Sequence, residues 1–75
     1  MTKKSSKEDS VYKVVEVIGT STKSWDDAAR VAVETAAGSL RDLRIAEVTK
    51  LDLKVESGKV VAYRARLQLS FKYET

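Results

Sequence analysis

Gly19-Thr20-Ser21-Thr22-Lys23-Ser24 brings together a glycine, three hydroxyls and a Lys-Ser pair, the residue types that cradle a phosphate. The phosphate loop of nucleotide-binding proteins is spaced G-x-x-x-x-G-K-[ST], and its second glycine lets the backbone wrap the ligand. That glycine is missing here, and the Ser24 hydroxyl has a better use as a helix N-cap. What remains is the general attraction of a helix N-terminus for an anion, with Lys23 nearby. The second set of interest is acidic: Glu16 and Glu47 each interrupt a segment that is otherwise apolar. A carboxylate in such a place must find a partner or shift its pKa. Arg64 and Arg66 are the partner candidates, so Glu16, Glu47, Arg64 and Arg66 are expected to form ion pairs at a subunit boundary.

The chain has no histidine and no cysteine. The usual ligands for zinc, iron and copper are therefore missing, and a nucleophile-base pair would have to be Ser-Lys or two carboxylates. Neither forms a recognisable constellation, so the expectation is a protein that is not an enzyme. Metal binding is confined to oxygen chemistry, meaning calcium or magnesium.

The elements that must carry these residues are legible from periodicity. Val11 to Ile18, "VYKVVEVI", is β-branched and short enough to be a strand, with apolar residues on both faces. Gly19 is expected to end it. From Trp25 onward the spacing is helical: Ala29, Ala32, Val33, Ala36, Leu40 and Leu43 fall on one stripe, which predicts about five turns. Ser24 caps the start, and Asp27 three residues later suggests a shortened capping box. Trp25 reads as a packing anchor, and Gly38, inside the predicted helix, as a point of close backbone approach. Over 44–56 the period becomes two, with Ile45, Thr49, Leu51, Leu53 and Val55 expected on one face. "ESGK" supplies a hairpin turn, and the return strand places Val61, Tyr63, Ala65, Leu67, Leu69, Phe71 and Tyr73 on one face. The fold class is α+β, a small β-α-β-β domain.

Seventy-five residues make one domain with a thin core. Without disulfides, a domain this small commonly gains its missing burial by association, and the two-faced first strand and the long hairpin ask for it. Residues 1–10, "MTKKSSKEDS", read as a flexible polar tail, and residues 11–75 as the domain. The formal charge of +3 comes from 14 basic and 11 acidic residues that are interspersed, which argues against nucleic acid as a partner. No apolar run is long enough to span a membrane and none follows the lysines at the start, so a cytoplasmic protein is expected.

The run "YKVVEVIGTS" into an alanine-rich helix, then "LRDLRIAEV", then a hairpin ending in "LSFKYE", resembles the dodecin family from Val11 to Glu74. The resemblance implies a three-stranded antiparallel sheet wrapped around the helix, and twelve copies assembled into a hollow shell. Flavin-binding dodecins usually carry an aromatic pair before the Glu-Val of the second strand and a glutamine on the third. Aligned on "AEV" and "SFK", those positions are Ile45, Ala46 and Arg64, which stand as the equivalents of the flavin pocket. The stacking ring is replaced by an aliphatic side chain. "GTSTKSW" with "IAEV" is instead similar to the branch described as calcium dodecins, which implies calcium binding through oxygen ligands between subunits. No EF-hand loop exists here, and Asp42, Glu47, Asp52 and Glu56 are the acids best placed to converge across a symmetry axis. The reading is a homododecamer without enzymatic activity that binds calcium or a small ligand at its subunit interfaces. A flavin store with an atypical pocket and a purely structural shell are the alternatives.

Overall fold

The computed structural model describes residues 10–73, so of the expected flexible tail over 1–10 only Ser10 lies within the described residues. Strand β1 (Tyr12–Ser21) leads into helix α1 (Trp25–Ala37), followed by strands β2 (Leu43–Glu56) and β3 (Lys59–Lys72). The sheet is antiparallel throughout, in the order β1-β3-β2. The two long strands are joined through Ser57 and Gly58, at φ 50° and 75°, where glycine removes the steric cost of the left-handed region. No described helix is long and apolar enough to cross a membrane.

The core forms where the inner face of β3 meets α1. Ala65, Leu67 and Leu69 from the strand pack on Ala28 and Ala32, with Val15 and Val17 of β1 closing one side. Leu67 and Leu69 are fully buried, each stabilising by about 2 kcal/mol on area alone. The small residues of the helix permit the close approach, and Gly19 completes it. A Cβ on Gly19 would land on the Ala28 carbonyl oxygen and 2.7 Å from Ala32 Cβ.

Three local expectations are corrected. Gly19 does not end β1: the strand runs on to Ser21, paired with Tyr63, and the turn is the short segment Thr22 to Ser24. The helix is 13 residues, not five turns, because Gly38 is its C-cap rather than an interior contact. Leu40 and Leu43 still pack on the core, which is why the apolar spacing continues past the helix end. Finally, β2 does not alternate simply, since register shifts fall between Leu43 and Ile45 and between Val48 and Lys50. Each shift inserts one extra residue and reverses the faces beyond it. Ile45 consequently lies opposite Ser70 on the outer face, whereas Leu51 and Leu53 lie opposite Ala65 and Tyr63 on the inner one. Thr49, at the second bulge, donates its hydroxyl to the Arg66 carbonyl at 3.1 Å.

A 13-residue helix is about 20 Å long, and a 14-residue strand about 47 Å. The inner face of the hairpin is therefore left largely uncovered, and Val48, Leu51, Leu53, Val55 and Val60 remain 41–57% exposed. All of β2 except Leu43 is exposed.

Candidate functional site

The outer face of the sheet carries most of the charged chemistry, ordered into cross-strand rows by the register. Val14, Ser70 and Ile45 form one row, and Glu16, Gln68 and Glu47 the next. Beyond them lie Ile18, Arg66 and Lys50, then Thr20, Arg64 and Asp52. Two acids from the edge strands thus flank one carboxamide on the central strand. The bulge at Thr49 is what brings Glu47, rather than Val48, to this face.

Of the expected pairings within one chain, Glu16 does meet Arg66, while Arg64 turns to Asp52 and Glu47 meets neither arginine. Arg64 makes a two-pronged bond to Asp52 directly across the hairpin, Nε to Oδ1 at 2.7 Å and Nη2 to Oδ2 at 2.9 Å. The planar guanidinium matches the carboxylate, so this is the best-formed ion pair on the face. It holds the Asp52 carboxyl below its ordinary range and raises the arginine further. Arg66 reaches Glu16 diagonally, at a looser 3.6 Å. Glu47 has no ion-pair partner among the described residues.

The four acids proposed for metal binding are strung along β2 rather than gathered. Asp42 precedes the strand in a left-handed conformation, φ 57°, with Arg44 at 3.8 Å, and its carbonyl accepts from the Lys72 amide. Asp52 is occupied by Arg64, and Glu56 lies at the hairpin end with Lys54 Nζ at 3.6 Å. Among the described residues of one chain, no three acids come together to hold a metal ion. Nor does one chain unite the flavin-pocket equivalents: Ile45 and Arg64 share the outer face but stand six residues apart in register, about 20 Å along β3. Ala46, opposite Leu69, faces inward.

The loop before the helix also resolves its chemistry internally. Ser24 Oγ accepts from the Asp27 amide at 3.0 Å, as the capping pattern predicts. The reciprocal half of the capping box is replaced, because the Asp27 carboxylate accepts from Ser21 Oγ at 2.7 Å and from Arg30 Nη2 at 2.6 Å. Those bonds, Ser21 first and Arg30 second, hold the Asp27 carboxyl below its ordinary value. Lys23 contributes its amide, donated to Ser21 Oγ at 2.9 Å. The helix N-terminus thus already has its own anion, and Gly19 to Ser24 is a turn rather than a phosphate cradle. Trp25 then ties the helix to the hairpin, donating Nε1–H to the Asp52 carbonyl at 3.0 Å and meeting the Tyr63 ring edge-on at 5.3 Å. This anchor was legible as an aromatic at the helix start, but its partner was not, since nothing in the sequence sets the register that brings Asp52 there.

The hairpin thus leaves its inner apolar face bare beside a helix too short to cover it, and comparison with known proteins places this arrangement in a family. The dodecin family model matches residues 11–74. The chain is 48% identical over 63 residues to the calcium dodecin of Mycobacterium tuberculosis, covering 84% of this chain and 89% of that protein. The crystal structure of that calcium dodecin, described as having a novel calcium-binding site, superposes with a TM-score of 0.76, covering 87% of this chain and 93% of that one. Dodecin from Streptomyces coelicolor, 39% identical, gives 0.82 over 89% of this chain and 96% of its own. A mutant form of the dodecin from Thermus thermophilus, 32% identical, gives 0.79 over 88% of this chain and 98% of its own. With strand order, hairpin and helix all matched over nearly the whole described length, this chain belongs to the dodecin family, small non-enzymatic proteins for which assembly into a dodecamer is known.

Proposed function

We propose that this chain is a shell-forming dodecin that binds a divalent cation, calcium first, where copies meet. The observation that carries the assembly is the bare apolar strip from Val48 to Val60 on the hairpin. Its side chains are 41–57% exposed, and a second copy of the chain is the cover this reading assigns to them. The calcium reading is supported by the 48% identity to a calcium dodecin and by Glu47, whose carboxylate on the outer face meets no cation among the described residues. Because no cluster forms among the described residues of one chain, the reading has the oxygen ligands shared between copies, with Glu47 the first candidate and Gln68 beside it. Asp52 is the weakest of the four acids, since a metal would have to displace Arg64. Flavin stacking is not part of the reading, because Ile45 offers no ring at the position where one is needed. Calcium titration by calorimetry tests it: saturable heat that Glu47→Gln abolishes supports the proposal. No calcium heat from an intact assembly would leave a structural shell.

A further inference from the structure

The register shifts at Arg44 and Thr49 set off a short segment of β2, Ile45 to Val48. Within it Ile45 and Glu47 lie opposite Ser70 and Gln68 on the outer face, while Ala46 and Val48 lie opposite Leu69 and Leu67 on the inner one. Continuing the pairing of Lys50 with Arg66 without a shift would put Val48 opposite Gln68 and Glu47 opposite Leu69, so every side chain of the segment would change face. The extra residue at Thr49 therefore decides two things together. Glu47 joins the outer row, and Val48 joins the apolar strip assigned to contacts between copies.

Burial within one chain does little to choose between these registers. All of β2 beyond Leu43 is exposed, and a strand with neither face buried holds its register weakly. Backbone conformation does not fix the shift either, since among the described residues the non-glycines at positive φ are Asp42 and Ser57, neither of them at this bulge. What the bulge does have is a bond. A bulged residue has no cross-strand partner of its own, yet Thr49 donates its hydroxyl to the Arg66 carbonyl at 3.1 Å. Among the described residues it is the one side chain of β2 that hydrogen-bonds to the backbone of β3, because Asp52 meets a guanidinium instead. Its β-branched side chain has few rotamers to lose in making that bond. The shift at Arg44 lacks such a tie, the Arg44 guanidinium being directed to Asp42.

We infer that Thr49 is a positioning residue: its hydroxyl latches the offset register of Ile45 to Val48 and so holds the Glu47 carboxylate toward the outer face for a divalent cation. The cation rests on the calcium reading above, whereas the latch stands without it. Thr49→Val keeps the β-branched shape and removes the donor; Thr49→Ser keeps the donor. Calorimetry on the full-length protein should find calcium bound about threefold or more weaker by Thr49→Val, and near the parent value by Thr49→Ser, at unchanged assembled mass. The register is read separately, without calcium, because the chain has no cysteine of its own. Directly opposed residues of paired strands are within disulfide reach. Mild oxidation should close a bond within the chain in Glu47→Cys/Gln68→Cys but not in Val48→Cys/Gln68→Cys, whose side chains leave opposite faces; adding Thr49→Val should let the second pair close. Thr49→Ala repeats both measurements if valine disturbs assembly. Cross-links unchanged by loss of the hydroxyl would overturn the latch whatever calcium does. Exchanged cross-links in a protein whose parent binds no calcium would uphold the latch and refute the calcium reading. Exchanged cross-links with calcium affinity intact would overturn the role of Thr49 in placing the cation ligand.

Discussion

Replacing Gly19 by alanine adds one methyl group at the tightest point of the fold. The residue is in regular strand conformation, so alanine meets no backbone penalty; the obstacle is the helix. The new Cβ would overlap the Ala28 carbonyl and sit 2.7 Å from Ala32 Cβ, at residues that are 0% and 7% exposed. Neither obstacle is a flexible side-chain tip, so α1 must move off β1 by about 1 Å, loosening its packing on Leu67 and Leu69. Overpacking of this kind costs about 1–3 kcal/mol, and backbone obstruction places Gly19→Ala toward the upper end. For a domain of this length that is a fall of about 10–20 °C in Tm. Gly38→Ala is the control: φ is −69°, in the helical region, and the added Cβ would approach only the Thr35 carbonyl, at 3.3 Å. It should change stability by less than about 1 kcal/mol. Denaturant unfolding at fixed protein concentration, with the slope m compared among the variants, reads both. A Gly19→Ala protein within about 0.5 kcal/mol of the parent would refute the close-approach argument.

Other perturbations report on separate parts of the account. Gly58→Ala places a side chain at φ 75° with open space around it, so backbone strain alone should cost about 1 kcal/mol, measured as a lower denaturation midpoint. Trp25→Phe keeps the ring but removes the donor to the Asp52 carbonyl; about 1 kcal/mol should be lost, with the indole emission, and an unchanged midpoint would remove Trp25 as an anchor. In acid, the sign follows from Asp27 and Asp52, whose carboxyls are held below their ordinary value of 3.8 in the fold. Their stabilisation is complete above that value and is lost as pH falls through the lower folded values. Stability should therefore drop below about pH 4, less steeply in Asp27→Asn and Asp52→Asn, and identical acid profiles would contradict this assignment. Riboflavin fluorescence should be unquenched by the protein; strong quenching would mean that the surface around Ile45 holds a flavin without a stacking ring.

The parts of this molecule that were readable from sequence are those set by local pattern. The alternation of β3 names its own buried face, Gly58 marks the hairpin, and Ser24 marks the helix start. What was unreadable depends on pairing between distant segments. Leu40 and Leu43 continue the helical stripe, so nothing in the spacing shows that the chain leaves the helix at Gly38. The bulges near Arg44 and Thr49 reverse faces without a glycine to announce them, which is why Ile45 was grouped with Leu51 although they lie on opposite sides. The acids on β2 looked equivalent along the strand. Only the register reveals that Asp52 faces Arg64 while Glu47 faces Gln68, and hence which of them is already held by a guanidinium. The glycine of close approach was sought at Gly38 and lies at Gly19, because contact between strand and helix is a tertiary fact.

The central claim is that the uncovered hairpin face is an interface between copies. Light scattering coupled to size exclusion, at micromolar protein, measures this most directly. Twelve copies of the 8.3 kDa chain give about 100 kDa, and a single species of that mass is predicted, with Leu51→Lys/Leu53→Lys collapsing it to smaller species. A folded monomer of 8.3 kDa for the parent protein, with the same apolar strip open to water, would contradict it.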